Sequence, residues 1–563
     1  MRASVESLQG RLRDLQFDLE YNSRLTMSSS LATEAVKSAR PPVPLPSEGE
    51  RPTAYADRVG HWYASWTPSE RKKHFGQYLT PVETARFMAE LIEPQNRDLR
   101  ILDPGAGTGV LSCALLESLA SKSGSLSIEV EAYESDLDLI DYLQDCLSYA
   151  KKWLESRGGT LRFRICTDDF IIRNSRALGQ EPQLFCDPDQ KGFDLVISNP
   201  PYFKIPKSDP RAKASAIVVH GQPNIYMLFM AVSASLLKEG GEMVFITPRS
   251  YAAGPYFRRF REFFFSTMQP KAIHLFGSRT KTFERDEVLQ ENAILYAQRN
   301  DRWSRRSDQL VQVSHSAGVH DLPKASKRFV PLRDVLELQT KDKMLNIPVA
   351  ERQDEVARLV NSWEGSLHSY GLEISTGPVV PFRAVPLIYS SGEVPEKHVP
   401  LIWMQHVTPM RVEWPKASFR KEQYIIVNDN SFSLLVPAKN YVLLRRFSAK
   451  EEWRRLVAAP FLRKNTNSQF VGLENHLNYI YRLKGELSEE EASGLAALLN
   501  SDILDTYFRI FNGNTQVSAT ELRRMPLPPL NLVCAIGKQV MSSADSRDKV
   551  DEIVSTALNL IAN

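Results

Sequence analysis

Residues 199–202 read Asn-Pro-Pro-Tyr, directly after the apolar run Phe193-Asp194-Leu195-Val196-Ile197-Ser198. An exocyclic amine on a planar base is a poor nucleophile, because its lone pair is delocalised into the ring. The Asn199 amide oxygen and the Pro200 carbonyl form a pair of acceptors for both amine hydrogens. Engaging them draws the nitrogen toward a tetrahedral state with its lone pair aimed at an electrophile. Pro200 and Pro201 fix φ, so the acceptors are pre-aimed, and Tyr202 offers a ring on which an unstacked base can lie. At the carboxyl end of a buried strand, this peptide suits methylation of a planar amine. A Pro-rich turn is the blander alternative for so short a motif.

A second group of residues lies upstream. Residues 100–109 read Arg-Ile-Leu-Asp-Pro-Gly-Ala-Gly-Thr-Gly, a short strand through Asp103 that runs into a glycine turn and then a helical pattern over 110–119. Gly105, Gly107 and Gly109 let the backbone approach a ligand where a Cβ would obstruct it. Their spacing is neither the dinucleotide fingerprint nor a phosphate loop. Residues 128–133 read as the next strand, ending in Glu134, an acid placed to accept from two ribose hydroxyls. Residues 161–166 read as a third, followed by Asp168-Asp169-Phe170. Asp169 there can accept from an adenine amino group while Phe170 covers the ring. Taken singly, Glu134 or Asp169 reads as a solvated strand end; three such features on successive strand ends define a ligand site.

The order of these motifs carries a resemblance. His74-Phe-Gly-Gln-Tyr-Leu-Thr-Pro81 comes first, then the glycine turn, then Asn-Pro-Pro-Tyr, then a long C-terminal region. In this the chain resembles the S-adenosylmethionine-dependent DNA adenine N6-methyltransferases, and more narrowly their gamma class, the PstI, BsuBI and PaeR7I type of modification enzyme. The resemblance implies methyl transfer from S-adenosylmethionine to N6 of an adenine flipped out of duplex DNA. It further implies a type II restriction–modification system, with any cognate endonuclease encoded separately, in a bacterial cytoplasm. It places Gly76, Tyr78, Thr80 and Pro81 near the methionine end of the cofactor and residues 283–295 along the target-base pocket. Residues 70–300 carry it closely; beyond them it continues loosely to about 530, through 377–382, 400–403 and 511–517. Enzymes that methylate a protein glutamine or an RNA base share the Asn-Pro-Pro-Tyr pattern but are much shorter. A catalytically inactive DNA-binding specificity subunit is opposed by the intact set of site residues.

Composition agrees. A chain of 563 residues with 42% hydrophobic and 24% charged residues is expected to fold as two or three soluble domains. It has no apolar run of membrane-spanning length, and its five scattered cysteines form no zinc pattern. No His-Glu-x-x-His motif or carboxylate cluster calls for a metal. The net charge of +3 requires any DNA-binding surface to be local. Residues 1–53 read as a helix over 4–20 and a Pro-rich linker. Residues 54–300 alternate strands and helices, the pattern of an α/β, Rossmann-like catalytic domain with a mostly parallel sheet. Residues 301–563 are assigned to a mixed α+β target recognition domain ending in a helix over 536–561. Candidate DNA contacts are Lys204, on a basic loop over 203–222 with Lys207, Arg211 and Lys213, then Arg463, Lys464, Asn465, Asn514 and Gln516. Arg and Lys suit phosphates, and the amides suit base edges.

Overall fold

A computed structural model describes residues 43–68, 71, 79–93, 96–179, 192–277, 292–303, 309–338, 340–390, 397–449, 452–512, 516–543 and 549–558. Gly76, Tyr78, Asn514, the helix expected over 4–20 and most of 283–295 lie outside the described residues. The centre of the molecule is a nine-stranded sheet. Its strands are β1 (Asp98–Pro104), β2 (Ser127–Tyr133), β3 (Thr160–Cys166), β4 (Phe193–Ser198), β5 (Leu237–Pro248), β6 (Met268–Phe276), β7 (Asn292–Arg299), β8 (Leu310–Ser316) and β9 (Ser326–Pro331). They lie in the order β3-β2-β1-β4-β5-β7-β6-β8-β9. The first five are parallel to one another, and β7 runs antiparallel between β5 and β6. The chain reverses its direction of progress between β1 and β4, and a crevice opens at the carboxyl ends of the strands there, where α/β sheets bind ligands.

Strands buried on both faces need apolar side chains on both. β1 meets this with Leu99, Ile101 and Leu102, and β4 with Leu195, Val196 and Ile197, all buried. Helices pack against the sheet in two groups: Pro52–Trp66, Val82–Glu90, Val110–Lys122 and Ile140–Glu155 form one, and Phe170–Asn174, Ile225–Leu236 and Arg258–Thr267 the other.

Three boundaries differ from those expected. The linker ends at Arg51, because Pro52 supplies the first-turn proline of a 15-residue helix. The sheet does not stop at 300: β8 pairs parallel to β6, β9 pairs with β8, and one continuous core runs from Tyr55 to Ile347. The terminal helix is two helices, Leu530–Ser542 and Val550–Ala557, the first starting directly after Pro529. Beyond the core sheet stand a four-stranded antiparallel sheet and a five-stranded mixed one. The four-stranded sheet is flanked by the helices Glu489–Asn500 and Leu530–Ser542, the former opened by a Ser488/Glu491 capping box.

Candidate active site

The glycine turn is built by φ angles that only glycine adopts without strain: +79° at Gly105, +59° at Gly107 and +83° at Gly109. A Cβ on Gly109 would sit 2.9 Å from Leu143 Cδ1. Gly105 N and Ala106 N donate to Tyr133 O, which seats the turn on the end of β2. The Glu134 carboxylate then accepts from Gly107 N (2.9 Å) and Asp136 N (2.8 Å). Burial pushes Glu134 up to about 7, against the downward pull of those two N–H groups. Asp103 is fully buried and pushed up to about 7 by the same cause, opposed by the Ser112 hydroxyl that donates to Oδ2 at 2.6 Å. Asp103 Oδ1 has no hydrogen-bond partner among the described residues.

The Asn-Pro-Pro-Tyr peptide meets this turn directly. Ser198 Oγ donates to Pro104 O at 2.6 Å, tying the end of β4 to the end of β1. Asn199 Nδ2 donates to Thr80 Oγ1 at 3.0 Å, and Asn199 Oδ1 accepts from the Tyr202 hydroxyl. That hydroxyl also lies 2.9 Å from Ile246 O; with one hydrogen, it donates to one acceptor at a time. Tyr202 is 6% exposed, its ring edge-on to Tyr226. The structure thus places Tyr202 as a brace under Asn199, not as an open stacking platform. Pro81 caps the helix Val82–Glu90, leaving Thr80 at the site.

A cavity of about 300 Å³ joins these groups, lined among others by Gly105, Gly107, Glu134, Asp169, Phe170, Asn199 and Pro201. Phe170 is buried between Tyr133 and Phe229. Asp169 caps the short helix after β3, accepting from Ile172 N. Sequence reasoning missed several wall residues: Leu79, Ser135, Leu139, Phe203, Ile225 and Phe229. It also missed the helix Pro52–Trp66, whose Tyr63 hydroxyl donates to Asp136 Oδ2 at 2.8 Å and supports the Glu134 loop. No residue-type motif marks these; only the tertiary fold brings them to the cavity. Two carboxyls at the ends of β1 and β2, an aromatic wall and an unpartnered Asp103 oxygen fit a ligand with an adenine, a ribose and an amine.

The candidate DNA contacts fare differently. Arg463 is committed to the carbonyls of Ala438 (3.1 Å) and Ser468 (2.8 Å), and Lys464 pairs with Glu489. Gln516 turns its amide oxygen to Arg446, 2.7 and 3.0 Å from two guanidinium nitrogens. These three therefore make internal ties, because partners unseen in the linear sequence lie within reach. Asn465 lines a separate cavity of about 350 Å³ beside Trp414 and Arg411. Near the catalytic peptide, Lys204, Lys207 and Lys213 are exposed. The basic loop is closed at its neck by Ile205 N to Pro223 O and Ile225 N to Phe203 O, and it contains the short helix Pro210–Ala214. Arg211 on that helix faces the cavity instead. Among the described residues no cluster of His, Cys, Asp and Glu is arranged to hold a metal, and no helix is long and apolar enough to cross a membrane.

Strand order, glycine turn and paired carboxyls together define an α/β methyltransferase. Residues 125–283 match the model of the Eco57I restriction-modification methylase family. The chain is 35% identical to the type II methyltransferase M.BsuBI of Bacillus subtilis, over 88% of this chain and 95% of that one. It is 33% identical to M.PstI of Providencia stuartii, over 87% and 94%. Among solved structures, a DrdV–DNA complex aligns with 87% of this chain and 59% of its own, at 14% identity and a TM-score of 0.45. The chain belongs to the type II methyltransferases of restriction–modification systems.

Proposed function

We propose that this chain methylates N6 of a specific adenine in duplex DNA, as the modification enzyme of a system whose endonuclease is a separate chain. The observation that carries the reading is the single joint between Asn199-Pro200 and the glycine turn, which sets an amine-accepting pair and a cofactor cavity side by side. Bound in the cavity, S-adenosylmethionine supplies a methyl group on a sulfonium, so the protein's work is alignment and electrostatics. Glu134 holds the ribose hydroxyls. Asp169 and Phe170 hold the adenine ring, and the orphaned Asp103 oxygen serves the amine end beside Thr80 and Pro81. Gly105, Gly107 and Gly109 keep side chains out of the way. Asn199 Oδ1, with two lone pairs, accepts from the target amine while it stays braced by Tyr202; the Pro200 carbonyl accepts the second hydrogen. Pro201 stiffens the turn, and buried Tyr202 braces Asn199 from within the protein. Extracting that base costs a few kcal/mol, which pocket contacts must offset.

DNA is favoured as the substrate by family membership and by a C-terminal region of more than 200 residues that an enzyme for a small amide or a free base does not need. The test is transfer of tritium from labelled S-adenosylmethionine to duplex DNA, RNA and protein, followed by nucleoside digestion. The expected product is N6-methyladenine from DNA alone. Label in RNA, protein or cytosine would overturn the reading.

A further inference from the structure

We propose that Arg211 is a positioning residue of the cofactor cavity, and that the segment following the catalytic peptide is that cavity's third wall. The inference rests on S-adenosylmethionine binding beside Glu134, as proposed above. The basic segment over 203–222 has two faces. Lys204, Lys207 and Lys213 are exposed, whereas Arg211 is half-buried and lines the cavity.

Asp209 fixes Arg211 three times over. Its Oδ1 accepts from Arg211 N (2.9 Å), capping the helix Pro210–Ala214, and from Arg211 Nε (2.9 Å), while Oδ2 accepts from Nη2 (2.7 Å). This two-pronged contact sets the plane of the guanidinium as well as its position. The pairing holds the Asp209 carboxyl below the usual carboxylate range. The guanidinium lies 5.7 Å from the centre of the Phe203 ring, a second cavity wall residue. What remains is Nη1, directed to Asp169 Oδ2 at 3.9 Å. Asp169 Oδ1 is spent on Ile172 N, so Oδ2 is the oxygen left for a ligand. Arg211 thus stands where it orients Asp169 and closes the cavity next to it. A segment chosen for phosphate contact alone would have no reason to turn its one arginine inward and lock it with a dedicated aspartate.

The test is calorimetric titration of the full chain with S-adenosylhomocysteine, alongside thermal melts with and without that ligand. Arg211→Ala is expected to weaken binding about tenfold and to shrink the ligand-induced rise in Tm, with the ligand-free Tm unchanged. Arg211→Lys keeps the charge but not the fork and should recover part of the loss. Asp209→Asn should weaken binding through the same contact, so the double variant should be no worse than Arg211→Ala. Arg157→Ala, an exposed charge stacked on Trp153, controls for net charge. Glu134→Gln reports on the cavity itself. If Glu134→Gln weakens binding but Arg211→Ala stays within twofold of the parent, or the Arg211 and Asp209 effects add, the inference is wrong. If Glu134→Gln has no effect, the cofactor assignment beneath it is wrong.

Discussion

In the proposed cofactor site, Asp103 and Glu134 are the groups that set the pH behaviour. Burial raises both to about 7, from ordinary values of 3.8 and 4.5. Between the ordinary and the raised values the folded chain keeps protons that the unfolded chain has lost. Their contribution to stability is therefore fully present below the ordinary values and is lost as pH rises toward 7. Ligand hydroxyls and an amine favour the ionised carboxylates, so binding S-adenosylhomocysteine should release protons and be tighter at pH 8 than at pH 6 by roughly tenfold for each carboxyl that takes part. Calorimetry in buffers of different ionisation enthalpy measures the protons; an affinity flat across that range would remove Glu134 and Asp103 from the site. Asn199→Ala should abolish transfer with cofactor affinity retained, and near-normal turnover would end the assignment. Tyr202 separates into two parts. Tyr202→Phe keeps the ring and loses the brace on Asn199, and should lower kcat by three- to tenfold at unchanged DNA affinity, since one hydrogen bond contributes about 1 kcal/mol. Tyr202→Ala removes the buried ring as well and should lower kcat further. Parental kinetics for Tyr202→Phe would leave the hydroxyl without a role.

Among the elements, β1 to β4 and their terminal residues were legible, because buried parallel strands are short apolar runs and the turn after each is marked by Gly, Glu, Asp or Asn. The expected strands at 128–133 and 161–166 begin one residue earlier, at Ser127 and Thr160. The extension of the sheet to Pro331 was not legible. β8 joins by lying parallel to β6, a long-range pairing with no local signature. The close crossing of the helices Glu489–Asn500 and Leu530–Ser542 was equally hidden. There a Cβ on Gly494 would lie 1.9 Å from Val533 O, and one on Gly537 1.9 Å from Glu490 O. Gly494→Ala must part the helices and is expected to cost about 1–3 kcal/mol, the usual range for an overfilled core. Urea denaturation measures it, and an unmoved midpoint would mean the crossing is looser than drawn.

At the scale of the molecule, buried arginines make internal ties, and one of them joins the nine-stranded sheet to the C-terminal region. Arg249, just after β5, donates to the carbonyls of Arg509 and Ile510 at the end of the helix Asp502–Phe511, where a cation suits the helix dipole. Arg261 donates to Tyr251, Gly254 and Asp342 carbonyls. In the linear sequence such residues are indistinguishable from DNA contacts, and charge pattern alone does not reveal the internal bonds of Arg463 and Lys464. Arg249→Ala should cost about 1.5–3 kcal/mol of stability, as for lost charged hydrogen bonds. It should raise KM for DNA while leaving cofactor affinity intact; a parental KM would free the two regions of any coupling through this contact. The bond from Ser198 to Pro104 has a different reach. It welds the floor of the donor cavity to the peptide proposed to grip the acceptor, so the gap between them is a property of the sheet and not of two independently moving loops. A gauge of that kind cannot widen for a larger cargo. Donors carrying longer alkyl chains in place of methyl should therefore be transferred poorly, and enlarging the cavity wall at Leu79 or Phe229 would be a poor remedy unless the weld itself were cut.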